Sequence, residues 1–326
     1  MQQPIIDVCD LVKRFGAVEA VRGVTFSVAA GEIFGFLGPN GAGKTTTIKM
    51  LATLLRPTSG RAALAGYDVV AHPGDVRRSM GIVFQDPSLD NRLTAEQNLR
   101  FHAMLYGVPS AEVEPRLAAV LEMVDLGERR RAAVATYSGG MKRRLEIARG
   151  LLHRPRVLFL DEPTLGLDLQ TRNHIWEYVV DLRRRDGVTV FMTTHYIEES
   201  EHCDRIAIID GGRIVALDTP DALRRQVGGD VITITSPDAP ALAREIEARF
   251  GVRARATDGQ VIVEQERGAE FVPRVAAAFP SLVTAVAVKR PTLDDVFLKL
   301  TGHEIREESA SSTDQLRTMA RAWGRR

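Results

Sequence analysis

The segment Gly38-Pro39-Asn40-Gly41-Ala42-Gly43-Lys44-Thr45-Thr46 constrains this chain more than any other. It fits the pattern G-x-x-x-x-G-K-[ST] and follows the short apolar run Ile33-Phe34-Gly35-Phe36-Leu37. Residues 45–55 after it have helical character. Glycines let such a loop curl until several N–H groups face one point, and the helix adds its positive N-terminal end. Strand, glycine-rich loop and helix are the context that a phosphate cradle requires. Lys44 is then expected to reach the β- and γ-phosphates of a nucleotide, and the Thr45 hydroxyl to hold Mg²⁺.

A second feature answers the first. Val157-Leu158-Phe159-Leu160 reads as a strand buried on both faces, and it ends in Asp161 and Glu162. Packing gives no reason for adjacent acids at a buried strand end, because each charge must be desolvated. A metal relieves that penalty. Asp161 is placed to hold Mg²⁺ through water, and Glu162 is the candidate general base for an attacking water. Ser138-Gly139-Gly140 precedes a helix with Met141, Leu145, Ala148 and Leu152 on one face and Lys142, Arg143, Glu146 and Arg149 on others. On its own this start is an ordinary N-cap; beside a phosphate loop it is a second helix start open to phosphate.

The pattern predicts strands over 5–12, 21–28, 33–37 and 81–84, then helical segments over 94–153. Strands over 157–160, 188–193 and 206–209 follow, with a helix over 171–185. This is an α/β architecture: a mostly parallel sheet interrupted by a helical subdomain at about 86–154, within a domain of residues 1–226. After Gly228-Gly229-Asp230 the order becomes β-α-β-β-α-β, the ferredoxin-like arrangement, giving a small α+β domain over 230–302. Its central hairpin turns at Asp258-Gly259. A helix over 293–300 closes it, its stripe of Leu293, Val296, Phe297 and Leu300 expected to dock on that small domain. Residues 303–326 read as a loose polar tail.

Composition narrows the setting. Across 326 residues, 43 Lys and Arg nearly cancel 42 Asp and Glu, so no basic field points to nucleic acid. Cys9 and Cys203 are far apart and match no metal or redox spacing. No stretch is apolar for the ~18 residues a spanning helix needs. The chain begins without a signal-peptide pattern, so a cytoplasmic location is expected, with any membrane role exercised through a partner.

Taken together, these motifs resemble the nucleotide-binding subunit of an ATP-binding-cassette (ABC) transporter over about residues 5–226. The resemblance implies a P-loop NTPase core of ABC type, with ATP and Mg²⁺ as ligands. It implies that Phe15 stacks on adenine and that Gln85 touches metal and water and senses the membrane partner. It matches Tyr137 to Met141 with the family signature, and Leu165-Gly166-Leu167-Asp168 with the loop crossing a dimer interface. It assigns His195 to the γ-phosphate and to support of the base. Tyr137 and Met141 depart from the usual Leu-Ser-Gly-Gly-Gln, and Leu165 and Gly166 from the usual Ser-Ala-Leu-Asp. The segment Arg290 to Gly302 resembles the closing segment of daunorubicin-resistance-type exporter ATPases.

In that family the phosphate loop and the signature lie at opposite ends of one subunit. The resemblance therefore implies a head-to-tail homodimer that clamps each ATP between residues 38–46 of one copy and 138–140 of the other. It also implies a separate membrane permease, at the cytoplasmic face of the membrane, for a hydrophobic or amphipathic drug or lipid. Competing readings are a non-transport ATPase of the same fold, a nucleotide-binding module without turnover, and an importer motor. A single nucleotide domain without long coiled-coil insertions, and intact Glu162 and His195, speak against the first two. The segment 290–302 speaks against the third.

Overall fold

The structure is a computed structural model that describes residues 3–85, 88–257 and 259–303. Asp258 of the expected hairpin turn, and the expected tail beyond His303, lie outside the described residues. In chain order, β1 (Ile6–Phe15) and β2 (Val18–Val28) form a hairpin, and β3 (Ile33–Leu37) leads through the glycine-rich loop into α1 (Lys44–Leu51). β4 (Ser59–Leu64), β5 (Tyr67–Asp68), α2 (Pro73–Ser79) and β6 (Met80–Val83) follow. Helices α3 (Ala95–Leu105), α4 (Ser110–Met123) and α5 (Gly139–Leu151) precede β7 (Val157–Asp161), α6 (Leu169–Asp186) and β8 (Thr189–Thr194). Then come α7 (Ile197–Ser200), β9 (Arg205–Asp210), β10 (Arg213–Asp218) and α8 (Pro220–Val227). The C-terminal part contains β11 (Asp230–Thr235), α9 (Ala239–Phe250), β12 (Ala254–Thr257) and β13 (Gln260–Gln265). It ends with α10 (Gly268–Ala278), β14 (Ala285–Lys289) and α11 (Leu293–Thr301).

The central sheet has the order β10-β9-β3-β8-β7-β6, parallel except for β10 at one edge. Its strands read as unbroken apolar runs because each serves two cores in alternation. Leu158, Leu160, Val190 and Met192 face the helices α5 and α6 and the helical subdomain. Val157, Phe159, Phe191, Phe34 and Phe36 face α1 and the antiparallel sheet β2-β1-β4-β5. On that side the rings of Phe26, Phe34, Phe36 and Phe191 pack with centroids 5.5–5.8 Å apart. Register then sets the level of every strand end: Leu37 lies opposite Thr194, Asp161 opposite Thr193, and Val83 opposite Leu160.

The C-terminal unit has the strand order β12-β13-β11-β14, all antiparallel, with α9 and α10 over one face and a separate core around Ile232, Ile234, Ile246, Val261 and Phe271. This is the ferredoxin-like arrangement expected from the pattern. Its last strand starts at Ala285 rather than 282, because Leu282 and Val283 bond back to the Phe279 carbonyl. Helix α11 does not dock on this unit. Leu293, Val296 and Phe297 join Leu223 of α8 in the core of the larger part, and Lys299 Nζ donates to the Gln226 and Val227 carbonyls. An amphipathic stripe specifies that a helix is buried, not where. Because Phe297 is fully enclosed there, Phe297→Ala is expected to destabilise the larger part by about 3–5 kcal/mol. Urea unfolding checks this; a change below about 1 kcal/mol would show that α11 is dispensable to it.

Candidate functional site

The loop between β3 and α1 is built on glycines for steric reasons. Gly43 has φ +104°, and a Cβ there would lie 2.6 Å from the Ala20 carbonyl oxygen; a Cβ on Gly38 would lie 2.2 Å from the Ile209 carbonyl oxygen. The loop is thereby pressed onto β2 and β9. Lys44 folds back into it: its Nζ donates to the Gly38 carbonyl at 2.6 Å and the Pro39 carbonyl at 3.2 Å. The same ammonium lies 3.3 Å from Glu162 Oε1, and both side chains are buried.

Three adjacent strand ends meet at this loop. From β7, Asp161 Oδ1 accepts the Thr45 hydroxyl at 3.2 Å and the Thr193 hydroxyl at 2.5 Å. Glu162 follows with φ +48°, a left-handed conformation uncommon for a non-glycine residue. Its N–H bonds to the Thr193 carbonyl at 3.1 Å and to Thr193 Oγ1 at 3.2 Å. After β8, His195 Nδ1 lies 3.3 Å from Glu162 Oε2, an ion-pair distance without hydrogen-bond alignment. Glu162 is therefore flanked by Lys44 on one oxygen and His195 on the other.

The electrostatics follow from burial. Desolvation raises the Asp161 carboxyl above its ordinary range, against the hydroxyls of Thr193 and Thr45. Desolvation also lowers Lys44, against the pull of Glu162 and Asp161. For Glu162, burial is outweighed by His195 and Lys44, which hold its carboxyl below the usual range. An ionised Glu162 can accept a proton from water. Asp161 and Thr45 form an oxygen-only donor pair around a carboxylate whose burial a divalent cation would relieve, and such donors suit Mg²⁺. The lysine-bearing glycine loop at a helix start suits a polyphosphate. The site thus fits both groups.

The other expected residues stand farther out. Phe15 is half-exposed at the tip of the β1–β2 hairpin, opposite Val18, with Lys13 Nζ 5.1 Å from its ring centre. Gln85 is exposed just beyond β6. Ser138 caps α5, its Oγ accepting the Met141 N–H at 3.2 Å, and Gly139 and Gly140 open that helix. Asp168 caps α6 through the Thr171 N–H and hydroxyl, bonds that lower its carboxyl. Among the described residues, no hydrogen bond or ion pair joins 138–140 or Asp168 to the group around Lys44. Tyr137 and Met141 have internal tasks: the Tyr137 hydroxyl donates to the Arg129 carbonyl at 2.7 Å, and Met141 packs on the core.

Helical periodicity places Arg143 and Glu146 on polar faces of α5, yet both are buried. Arg143 Nε donates to the Pro163 carbonyl at 2.6 Å, Nη2 to the carbonyls of Asp161 (3.1 Å) and Glu162 (3.0 Å), and Nη1 to Phe84 (2.5 Å) and Glu146 (3.2 Å). Glu146 in turn accepts the Ser88 N–H at 2.7 Å. One guanidinium therefore ties the Ser138 helix to the acidic strand end and to the segments on both sides of Gln85. A charged pair one turn apart next to an apolar helix stripe was the only trace of it in the sequence.

Known proteins with the same arrangement can now be compared. The family model described as ABC transporter matches residues 21–165. The chain is 39% identical over 311 residues to the daunorubicin resistance ATP-binding protein DrrA2 of Streptomyces coeruleorubidus, covering 91% of this chain and 95% of that one. It is 39% identical over 312 residues to the Nod factor export ATP-binding protein I of Ralstonia nicotianae, covering 93% and 96%. A solved ATP-binding cassette, in a dimeric post-hydrolysis state bound to ADP and Pi, superposes with a TM-score of 0.60 at 26% identity, covering 66% of this chain and 98% of that one.

Removing one partner of a buried ion pair strands the other. Arg143→Ala leaves Glu146 uncompensated and several carbonyls unserved, so a loss of about 3–5 kcal/mol is expected. Chemical denaturation measures it, and a value within about 1 kcal/mol of the parent would contradict this account of the guanidinium.

Proposed function

The chain belongs to the ABC transporter family of ATP-binding subunits, in its daunorubicin-resistance branch, and on that premise we propose how its residues hydrolyse ATP and drive export. It is an ATPase. The observation that carries the reading is the pairing of Glu162 with Lys44 and His195, on a strand end facing the glycine loop.

ATP binds with its phosphates in the cradle of Gly38, Pro39, Asn40, Gly41, Ala42, Gly43, Lys44, Thr45 and Thr46, and its adenine on Phe15. Lys44 exchanges its loop carbonyls for the β- and γ-phosphates. Thr45, Asp161 and Gln85 would hold Mg²⁺, which when bound supplies charge neutralisation at the β- and γ-phosphates. Glu162 orients the attacking water and takes its proton, and His195 contacts the γ-phosphate and steadies Glu162. The remaining work is positioning and electrostatic stabilisation of a loose phosphoryl transition state.

Ser138, Gly139 and Gly140 contact the γ-phosphate held by a second copy, and Asp168 lies on the loop between copies. Support comes from the lack, among the described residues of one chain, of any bond between 138–140 and the Lys44 group, and from the dimeric cassette among the similar structures. Hydrolysis removes the shared γ-phosphate contact and loosens the pair, a ligand-biased two-state element.

No helix among the described residues is long and apolar enough to cross a membrane. The relatives' role as ATP-binding proteins favours a channel supplied by a separate permease, with this chain at its cytoplasmic face and no nucleic acid as partner. The surface that receives the permease is the helical subdomain near Gln85, where Phe101, Met104 and Leu105 of α3 are exposed. Contiguous exposed apolar side chains of this kind mark interaction sites. The relatives' roles, daunorubicin resistance and Nod factor export, favour export over import and a hydrophobic or amphipathic drug or lipid as cargo.

Glu162→Gln is expected to retain ATP binding and lose ~10²–10⁴ in turnover. Phosphate release at the parent rate would remove Glu162 as the base. Lys44→Ala is expected to weaken nucleotide affinity by at least about tenfold, about 1.4 kcal/mol, in equilibrium binding; unchanged affinity would remove the cradle assignment.

A further inference from the structure

Behind the Lys44–Glu162–His195 group lies a carboxylate that the chemistry above does not use. Glu199 of α7 is 2% exposed. Its Oε2 accepts the Thr194 hydroxyl at 2.6 Å, and its Oε1 accepts the Thr164 hydroxyl. Thr194 ends β8 and immediately precedes His195. Thr164 lies in the segment that runs from Glu162 to the Asp168 cap of α6. The Thr194 hydroxyl also accepts the Tyr196 N–H at 2.9 Å; of its two acceptors, Glu199 at 2.6 Å is much nearer than the Tyr196 carbonyl at 3.4 Å. Each carboxylate oxygen thus has one threonine hydroxyl beside it, and in the ionised form both oxygens act as acceptors.

We infer that Glu199 is a positioning residue whose ionised carboxylate pins the His195-bearing turn to the 164–168 loop. Through that bridge, Glu162 and His195 keep their mutual geometry when the loop is engaged by a second copy. The inference rests on the reading of Glu162 as base and His195 as its support.

The setting gives this bridge a pH dependence. Facing Glu199 are Arg172 from α6, Arg143 from α5, His195 and Glu162 from the strand ends, and Cys203 beyond α7. Burial pushes its carboxyl up to about 7, with the Thr194 hydroxyl, Arg172 and His195 opposing and Glu162 adding to the rise. When the carboxyl is protonated, one oxygen becomes a donor, and one hydroxyl bridge must reverse or break. Turnover is thus lost as pH falls through about 7. Stability runs the other way. The folded value lies above the ordinary 4.5, so the folded state binds the proton more tightly. Glu199 therefore destabilises the fold above about pH 7, and this burden fades as pH falls towards 4.5.

The test compares full-length parent, Glu199→Gln and Thr164→Val in steady-state ATPase assays from pH 5.5 to 8.5, with thermal unfolding at each pH. The parent kcat is expected to fall about tenfold between pH 8 and pH 6, as one carboxylate protonates. In Glu199→Gln the acid limb moves about one unit lower or disappears, KM for ATP is unchanged, and Tm exceeds that of the parent at pH 8 but not at pH 5. Thr164→Val, which removes one donor, moves the midpoint of the limb upward. A parental acid midpoint in Glu199→Gln, or a Tm difference that does not change with pH, overturns the inference. If Glu199→Gln does not fold, an unmoved midpoint in Thr164→Val overturns it instead. Turnover in Glu162→Gln would remove the base assignment itself. An inactive Glu162→Gln beside an unmoved limb in Glu199→Gln removes the bridge alone.

Discussion

The contact between the buried side chains of Lys44 and Glu162 is what the rest of this site is arranged to maintain. Two opposite charges 3.3 Å apart and largely shielded from solvent attract strongly but are each expensive to bury. Such a pair is useful only if its geometry is held by something stiffer than the charges. Here the holder is the parallel sheet. β3, β8 and β7 are neighbours, so the loop bearing Lys44, the turn bearing His195 and the acids of β7 emerge side by side. Their level is set by register, and register is set by the double alternation of apolar side chains into two cores. A slip of one residue in β7 would turn Leu158 and Leu160 to the wrong face and carry Glu162 out of reach.

Helix α5 extends that stiffness to a second place. Its N-terminus is the Ser138 start, and one turn later Arg143 grips four backbone carbonyls at the strand end and before Gln85. Arg149 adds bonds to the Ser88 carbonyl and hydroxyl. A guanidinium that spans three segments through planar, fixed donors makes them move as one body. Under the proposed two-copy arrangement, a shift of the Ser138 start on one nucleotide would be transmitted to the acids that act on the other. Gln85 follows Phe84, whose carbonyl this clamp holds, and precedes Ser88, whose N–H bonds to Glu146.

What was legible in the sequence follows from how each residue signals its task. Lys44, Thr45, Asp161 and Glu162 stand out because glycine spacing and acids on an apolar run conflict with any purely structural use. His195, Gln85 and Phe15 are legible only as members of an ordered set, since each alone is an unremarkable polar or aromatic residue. Arg143, Glu146 and Glu199 were hidden because periodicity assigns charged residues to solvent, and only the fold shows them buried against backbone. Strand β4, the edge strand β10, and the short helices α2 and α8 were missed because their mixed exposure blurs both helical and strand periods. The docking of α11 depends on Leu223, a residue seventy positions away that no local pattern connects to it.

The backbone at Glu162 carries the same logic to its smallest scale. A φ of +48° is strained for a residue with a Cβ, at about 1–2 kcal/mol, and glycine would relieve it. Glycine would also remove the carboxylate, so the strain has to be absorbed by neighbours. Two bonds from the Glu162 N–H to Thr193, and one from Arg143 to its carbonyl, fix both sides of the residue. The left-handed turn redirects the chain after Asp161, so that consecutive acids serve different partners: Asp161 faces Thr45, while Glu162 faces Lys44 and His195. In an extended strand the two would point to opposite faces of the sheet. The strain is thus the device by which one strand end presents two carboxylates to the same loop.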